Sequence, residues 1–320
     1  MTTYIIRRLL WGIVVLFLVS LIVFFSVRLI PGDPVLIYAA QQAGSGGGLT
    51  EEYLDKLRVE YGLDRSVPVQ YLSWVKGVIT GDLGKSIRYQ DDVGGLLLQK
   101  LPPTLYLGLI SVIVSTIFGI LFGLIAAIRR GKWIDSVVTF LSYIGLCVPV
   151  FLLGFLLIYV FGLKLRWLPI VGYTSPWNDF GMSVRQALMP VICLAVVSLA
   201  VTARQMRSSV LEVNNMDYVR TAWSKGLRER VVVTRHVLKN SLIPVVTMLG
   251  ISVGLIFGGS VIVETMFGIP GMGQLLVQSI FSRDYVVIQG GTLIIAAMII
   301  AVNLLVYISY GWFDPRIRYE

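Results

Sequence analysis

Charge is scarce in this 320-residue chain: 14% of its residues are Asp, Glu, Lys or Arg, against about 25% in soluble globular domains. It holds one His and two Cys. So few charges cannot keep a globular surface wet, which excludes a soluble enzyme, and so much apolar content excludes a disordered or collagen-like chain. Cys147 and Cys193 form no CxxC pair, and one His cannot complete a zinc set. Both cysteines lie in apolar runs and are expected to be small packing residues outside any disulfide framework. The lone His236, beside Arg235, is for the same reason not read as a metal ligand. The glycine run Gly44–Gly48 reads as a flexible tip, because no Gly-Lys-Ser/Thr follows to make a phosphate loop. Nucleophile triads and paired catalytic carboxylates are missing too. The reading is of a non-enzyme with no catalytic residue, no metal site and no cofactor of its own.

What the chain has is hydrophobicity: 56% apolar residues and a mean hydropathy of +0.80. Six runs approach or exceed the roughly 20 residues that cross a bilayer. They are Leu9–Leu29, Thr104–Ile128, Ser136–Leu163, Gln186–Ala203, Ser241–Val263 and Val286–Phe313. The expected fold is an all-α integral membrane protein with six transmembrane helices. The first run follows Arg7-Arg8 like a secretory signal, but it is too long and lacks a small-residue cleavage site, so it reads as a retained anchor.

The net charge of +9 would suggest nucleic acid in a soluble protein. Here it fits cytoplasmic loops rich in Lys and Arg, with lipid and not nucleic acid as the surrounding partner. With the N-terminus inside, the inner segments carry fifteen Lys and Arg and the short outer loops four. Both termini are therefore expected in the cytoplasm. This divides the chain into an N-terminal segment and first span (1–30), a long extracytoplasmic loop (31–103) and a five-helix core (104–320) holding a cytoplasmic loop at 204–240.

The outer loop carries two amphipathic patterns. Leu54, Leu57 and Tyr61 recur after Thr50-Glu51-Glu52 with Gly62 as a stop, and Leu72, Val75 and Ile79 recur before Gly81. A solvated cap and a docking platform both fit. In the inner loop, Met216, Val219, Ala222 and Trp223 share one helical face, and Gly226 ends the helix. A membrane-surface helix and a helix gripped by a cytoplasmic partner both fit that pattern.

Small residues recur every fourth position at Ser111, Ser115, Gly119 and Gly123, and again at Gly250, Gly254 and Gly258. Such stripes let helices approach closely in lipid. Ionisable groups are nearly absent from the spans, and only Arg28 and Glu264 come close, at their outer ends. A proton- or sodium-driven carrier needs such groups at mid-depth. Neutral Gln289 and Asn303 remain, with Glu264, as candidates for a translocation path. Pro149 and Pro190 are candidate kinks.

One stretch carries a family likeness. Asp217-Tyr218-Val219-Arg220-Thr221-Ala222-Trp223-Ser224-Lys225-Gly226-Leu227, followed by Arg235-His236-Val237-Leu238-Lys239-Asn240 and Pro244, resembles the coupling loop of binding-protein-dependent ABC importer permeases. More narrowly, it resembles the dipeptide/oligopeptide/nickel branch. Tyr61-Gly62-Leu63-Asp64, Gly81-Asp82-Leu83-Gly84-Lys85-Ser86, Leu101-Pro102-Pro103-Thr104-Leu105, Glu264-Thr265-Met266-Phe267, Pro270-Gly271-Met272-Gly273 and Asp314-Pro315-Arg316-Ile317-Arg318 extend the likeness over the chain. Of the general Glu-Ala-Ala start only Ala222 matches, as suits the peptide branch, and Tyr307 stands where the likeness predicts Asp.

The resemblance implies a type I importer-like permease in a prokaryotic inner membrane. Its implied partners are a second, homologous permease, two ATP-binding subunits that carry the ATP and Mg, and an extracytoplasmic solute-binding protein. It also implies that Asp217, Tyr218, Val219, Arg220, Ala222, Trp223, Lys225 and Gly226 couple to the ATPase, with Val219 and Trp223 as apolar anchors. The cargo would be di- or oligopeptides; nickel or a metal complex in the same machine, or a self-sufficient carrier, are the alternatives.

Overall fold

A computed structural model describes residues 2–29, 32–43 and 50–313. The tip Gly44–Gly48 and the Asp314–Arg318 match lie outside them. The described residues form helices α1 (Thr2–Arg28), α2 (Pro34–Ala43), α3 (Glu51–Glu60) and α4 (Val67–Thr80), then α5 (Val93–Ile128) and α6 (Trp133–Cys147). Helix α7 (Val150–Lys164) ends in a π-helical stretch, Ile158–Lys164. Helices α8 (Phe180–Asn214) and α9 (Asp217–Ser224) come next. Helix α10 (Glu229–Met266) has a π-helical stretch at Val232–Val237, and α11 (Met272–Ser282) and α12 (Tyr285–Phe313) complete the chain. Among the described residues, α1, α5, α8, α10 and α12 are each long and apolar enough to cross a bilayer, and α6 and α7 qualify together.

The helices depart from the expected apolar runs at three places. The span Ser136–Leu163 is not one helix: α6 and α7 meet at 106°. Pro149 has no N–H to donate and forces Val148 into the extended region, at φ −78° and ψ 120°. The last residues of the segment expected as loop to 103 are helical, because α5 starts at Val93 and runs through Pro102 and Pro103. Asp92 caps this helix by accepting from the Gly95 N–H at 2.6 Å, and Val93, Leu96 and Leu97 bury its first turns against Met272, Leu275 and Val287. Thirdly, α8 has 35 residues, far longer than the span Gln186–Ala203, and most of the expected loop 204–240 is helix. Asp179 caps it, accepting from the Met182 N–H at 2.9 Å, and Pro190 does not end it. Beyond Ala203 its buried Met206, Ser209, Val210 and Val213 keep helical spacing.

The chain divides into two compact units. One is built from Met1–Leu9, Leu105–Ile269 and Ile299–Glu320, the other from Leu10–Thr104 and Pro270–Met298. In the first unit, α8 packs on α10 and α6, and Leu107, Met189, Leu194, Ile256 and Phe267 form its largest apolar cluster. The first small-residue stripe serves this packing. Ser111 and Ser115 are buried, a Cβ on Gly119 would lie 2.7 Å from Thr202, and one on Gly123 would lie 2.7 Å from Met206 and run into the Ala203 carbonyl. In the second stripe Gly250 meets Asn303, whereas Gly254 and Gly258 face open space. Cys193 is buried as expected, but Cys147 is exposed, because it sits at the α6–α7 break.

In the second unit, Leu54 and Leu57 of α3 pack on Val35 and Ala39 of α2, and Gly62 follows at φ +63°, as the pattern predicts. The Tyr61 hydroxyl beside it donates to the Ser86 carbonyl at 3.3 Å and accepts from Gln90 Nε2 at 3.0 Å. Burial pushes this phenol up to about 12. Helix α4 also forms where predicted and stops at Gly81, φ +85°. Its buried face differs: Leu72 is 67% and Ile79 80% exposed, while Tyr71 is buried. The partner decides this. Phe24 of α1 meets Tyr71 edge-on at 5.1 Å, and Ser20 Oγ lies 2.9 Å from the Tyr71 hydroxyl, a better match for aromatic Tyr71 than for aliphatic Leu72.

Because the Ala203 carbonyl cannot retreat like a flexible side chain, Gly123→Ala is expected to destabilise the protein by about 1–3 kcal/mol. Gly254→Ala, into open space, should be neutral or slightly stabilising. Thermal unfolding of the two variants side by side in detergent measures the difference.

Candidate functional site

Helix α9 is too short to hold itself: eight residues close few hydrogen-bonded turns, and isolated helices below about 12 residues are marginal in water. It is held from beneath. Val219, with no exposed surface, and Ala222 enter an apolar cluster made by Ala127 of α5, Met206, Val210 and Val213 of α8, and Val232, Val237 and Val245 of α10. A polar brace adds to this. Asn240 Nδ2 donates to the Tyr218 hydroxyl at 2.7 Å and to the His236 carbonyl at 3.1 Å, joining α9 to the π-helical start of α10. Gly226 ends the unit in the left-handed region, φ +70°, and its N–H bonds the Trp223 carbonyl at 2.9 Å.

The predicted face is therefore split. Val219 was expected to anchor a partner, and this is corrected: it is sealed into the chain's own core, as is Ala222. Trp223 and Met216, placed on the same face by their spacing, are exposed instead. The reason is helix length. Both stand at the ends of an eight-residue helix, past the edges of the floor beneath Val219. Tyr218, Arg220 and Lys225 are exposed as well, and the Asp217–Arg220 pair, 3.8 Å apart in open solvent, contributes little. The outer surface is thus apolar at Met216, Tyr218, Trp223 and Leu227, and basic at Arg220, Lys225, Arg228 and Arg230.

Beside this floor lies an ion pair that sequence reasoning missed. Arg207 of α8 grips Asp135 of α6 with two bonds, Nε to Oδ1 at 2.6 Å and a terminal nitrogen to Oδ2 at 2.9 Å. The Gly131 N–H donates to the same carboxylate at 3.0 Å, which ties the α5–α6 turn to α8. Hydropathy drew the span edges at Ser136 and Ala203, just short of Asp135 and Arg207, so neither counted as a charge near a helix. An acidic residue one turn past a basic cluster was the signal available.

The three candidate path residues are divided between the two units. Gln289 belongs to the second unit, and Glu264 and Asn303 belong to the first. Asn303 packs on Gly250, fourteen residues from Glu264 along α10, or about 20 Å at the helical rise. Glu264 is fully buried, and its carbonyl accepts from the Ile269 N–H at 2.8 Å.

The apolar helices make this a multi-pass integral membrane protein. Residues 119–319 match the family described as "Binding-protein-dependent transport system inner membrane component", and residues 1–108 match the N-terminal membrane component of such systems. A peptide permease protein of Brucella suis is 39% identical over 99% of both chains. A peptide ABC transporter permease protein of Sinorhizobium fredii is 40% identical over 100% of both. A glutathione transport system permease protein of Escherichia coli is 38% identical, again over 100% of both. A crystal structure of an amino acid ABC transporter with histidines matches at 21% identity, covering 70% of this chain and 94% of that one, with a TM-score of 0.47. On the two family matches and these full-length relatives, the chain belongs to the inner-membrane permeases of binding-protein-dependent ABC importers.

Removing either side of the brace, by Tyr218→Phe or Asn240→Ala, should cost about 1 kcal/mol. The double variant should cost no more than the worse single one, read as a double-mutant cycle of unfolding midpoints. Asp135→Ala, which strands Arg207, should cost about 1–3 kcal/mol, and adding Arg207→Leu should recover part of it in the same assay.

Proposed function

We propose that the chain is the transmembrane permease subunit of an ATP-driven importer of di- or oligopeptides, seated in the cytoplasmic membrane of a prokaryote with both termini inside. It forms the translocation pathway with a second, homologous permease. Two cytoplasmic subunits bind ATP and Mg, and an extracytoplasmic binding protein delivers the cargo. The peptide class rests on the relatives, whose names are those of peptide and glutathione permeases.

One observation carries the mechanism. Helix α9 is fastened by its inner face to α5, α8 and α10 and presents an apolar and basic outer face. Such a face fits a groove with an apolar floor and an acidic rim on the ATPase. Trp223 is the anchor, Arg220 and Lys225 orient it, and Asp217 stays in solvent. When ATP closes the ATPase pair, α9 moves as a rigid body. The floor around Val219 passes that movement to three spans at once, and the Asp135–Arg207 pair carries it to α6. The pathway then opens outward, and hydrolysis returns it. Gly226 allows the sharp exit from α9 at a φ that costs other residues about 1 kcal/mol or more.

The test is uptake by the complete complex in liposomes. Trp223→Ala should lower ATP-driven uptake of a labelled dipeptide about tenfold or more, as interface anchors do, and leave membrane insertion and basal ATPase activity in place. Gly226→Asp should insert normally and separate hydrolysis from uptake. Normal uptake by both variants, or accumulation by this chain without an ATPase, would refute the coupling. Labelled nickel taken up in place of peptide would replace the cargo.

A further inference from the structure

Arg28 and Gln289 are polar residues at the ends of otherwise apolar spans, and the coupling mechanism gives neither a role. Within the second unit they line the same cleft, of about 380 Å3, which falls within the roughly 300–1,000 Å3 of small-molecule sites. Gln289 is 3% exposed, and its Nε2 has no hydrogen-bond partner among the described residues. Trp74 lines the cleft too, and among the described residues its buried Nε1 likewise has none. Trp Nε1 can only donate, and the amide Nε2 can only donate. Buried donors are nearly always paired in native proteins, so two orphans on one cleft call for an acceptor.

The charge points the same way. The Arg28 guanidinium lies 3.4 Å over the Phe24 ring and donates through Nε and a terminal nitrogen to Gln70 Oε1, at 3.1 and 2.6 Å, and through its other terminal nitrogen to the Phe24 carbonyl at 3.1 Å. All of these acceptors are neutral. Two carboxylates line the cleft as well: Glu60 lies 3.9 Å from Lys85 Nζ, a cation on the same wall, and Asp82 accepts from the Gly84 N–H at 2.9 Å. Arg65 adds another cation to the lining. Leu63, Leu83, Ile87 and Val286 give the wall an aliphatic part.

We infer that this cleft binds an oxyanion, carboxylate or phosphate, borne on a partly apolar body, with Gln289, Trp74 and Arg28 as its donors. The oxyanion oxygens accept from Nε2 and Nε1 and offset the Arg28 charge, while the body rests on the aliphatic wall. Two sources offer this chemistry: a small free carboxylate such as the C-terminus of a short peptide, and the headgroup of an anionic phospholipid. The site does not depend on the transport reading, because it rests on unpaired donors and not on α9.

The experiment uses the full-length protein in detergent, with unfolding midpoint against ligand concentration as readout. One arm compares the dipeptide Ala-Phe with its C-terminal amide; the other compares phosphatidylglycerol with diacylglycerol. A saturable rise with the anionic member of a pair, and none with its uncharged counterpart, is expected in one arm and names the source. Gln289→Leu and Trp74→Phe should each weaken that binding about tenfold, the factor for one lost hydrogen bond of about 1.4 kcal/mol. Leu72→Ala, on the exposed face of α4, should leave it unchanged. Should Gln289→Leu fail to fold, Trp74→Phe alone decides the matter. No saturable response in either arm, equal response to charged and uncharged members, or full binding by the donor variants would overturn the site.

Discussion

The burial of Val219 and Ala222 in one apolar cluster with residues of α5, α8 and α10 ties a surface helix of eight residues to the long spans. Packed interiors pass displacement on because they have little free volume. A helix held only by solvent-exposed charges would yield under load, since such pairs contribute little in water. Here the charges of α9 lie outside and the packing inside, so the helix has a rigid attachment on one side and a free surface on the other. The brace from Asn240 to Tyr218 fixes its orientation about that attachment.

The rest of the first unit suits the same need. Close contact between α5 and α8 is made through Gly119 and Gly123, where a single added methyl would strike Thr202 or the Ala203 carbonyl. The Asp135–Arg207 pair holds the α5–α6 turn to α8 with bidentate geometry, which fixes direction as well as distance. At Pro149 the chain turns through 106° between α6 and α7 because the proline removes a donor and constrains the residue before it. The second unit solves a different problem. Its short helices α2, α3 and α4 have modest cores, and aromatic contact between Phe24, Tyr71 and Trp74 joins α4 to α1. That arrangement leaves Trp74 Nε1 buried and, among the described residues, without an acceptor, on the cleft that Gln289 and Arg28 also line.

Much was legible in the chain itself. Apolar runs with few charges determined that the protein is helical and lies in a membrane, because lipid accepts only segments whose backbone bonds close internally. The pattern after Thr50 gave α3 and its buried Leu54 and Leu57, and glycines at 62, 81 and 226 marked helix ends that all have positive φ. The ordered motifs determined the family. Other features were decided only by the tertiary structure: where α5 and α8 begin and end, that Tyr71 and not Leu72 is buried, that Val219 belongs to the core and Trp223 to the surface, and that Asp135 meets Arg207. The reason is physical. Hydropathy and periodicity record what each residue gains on leaving water, but not which neighbour receives it. That depends on residues distant in sequence, such as Phe24 for Tyr71 and Met206 for Val219, and only folding brings them together.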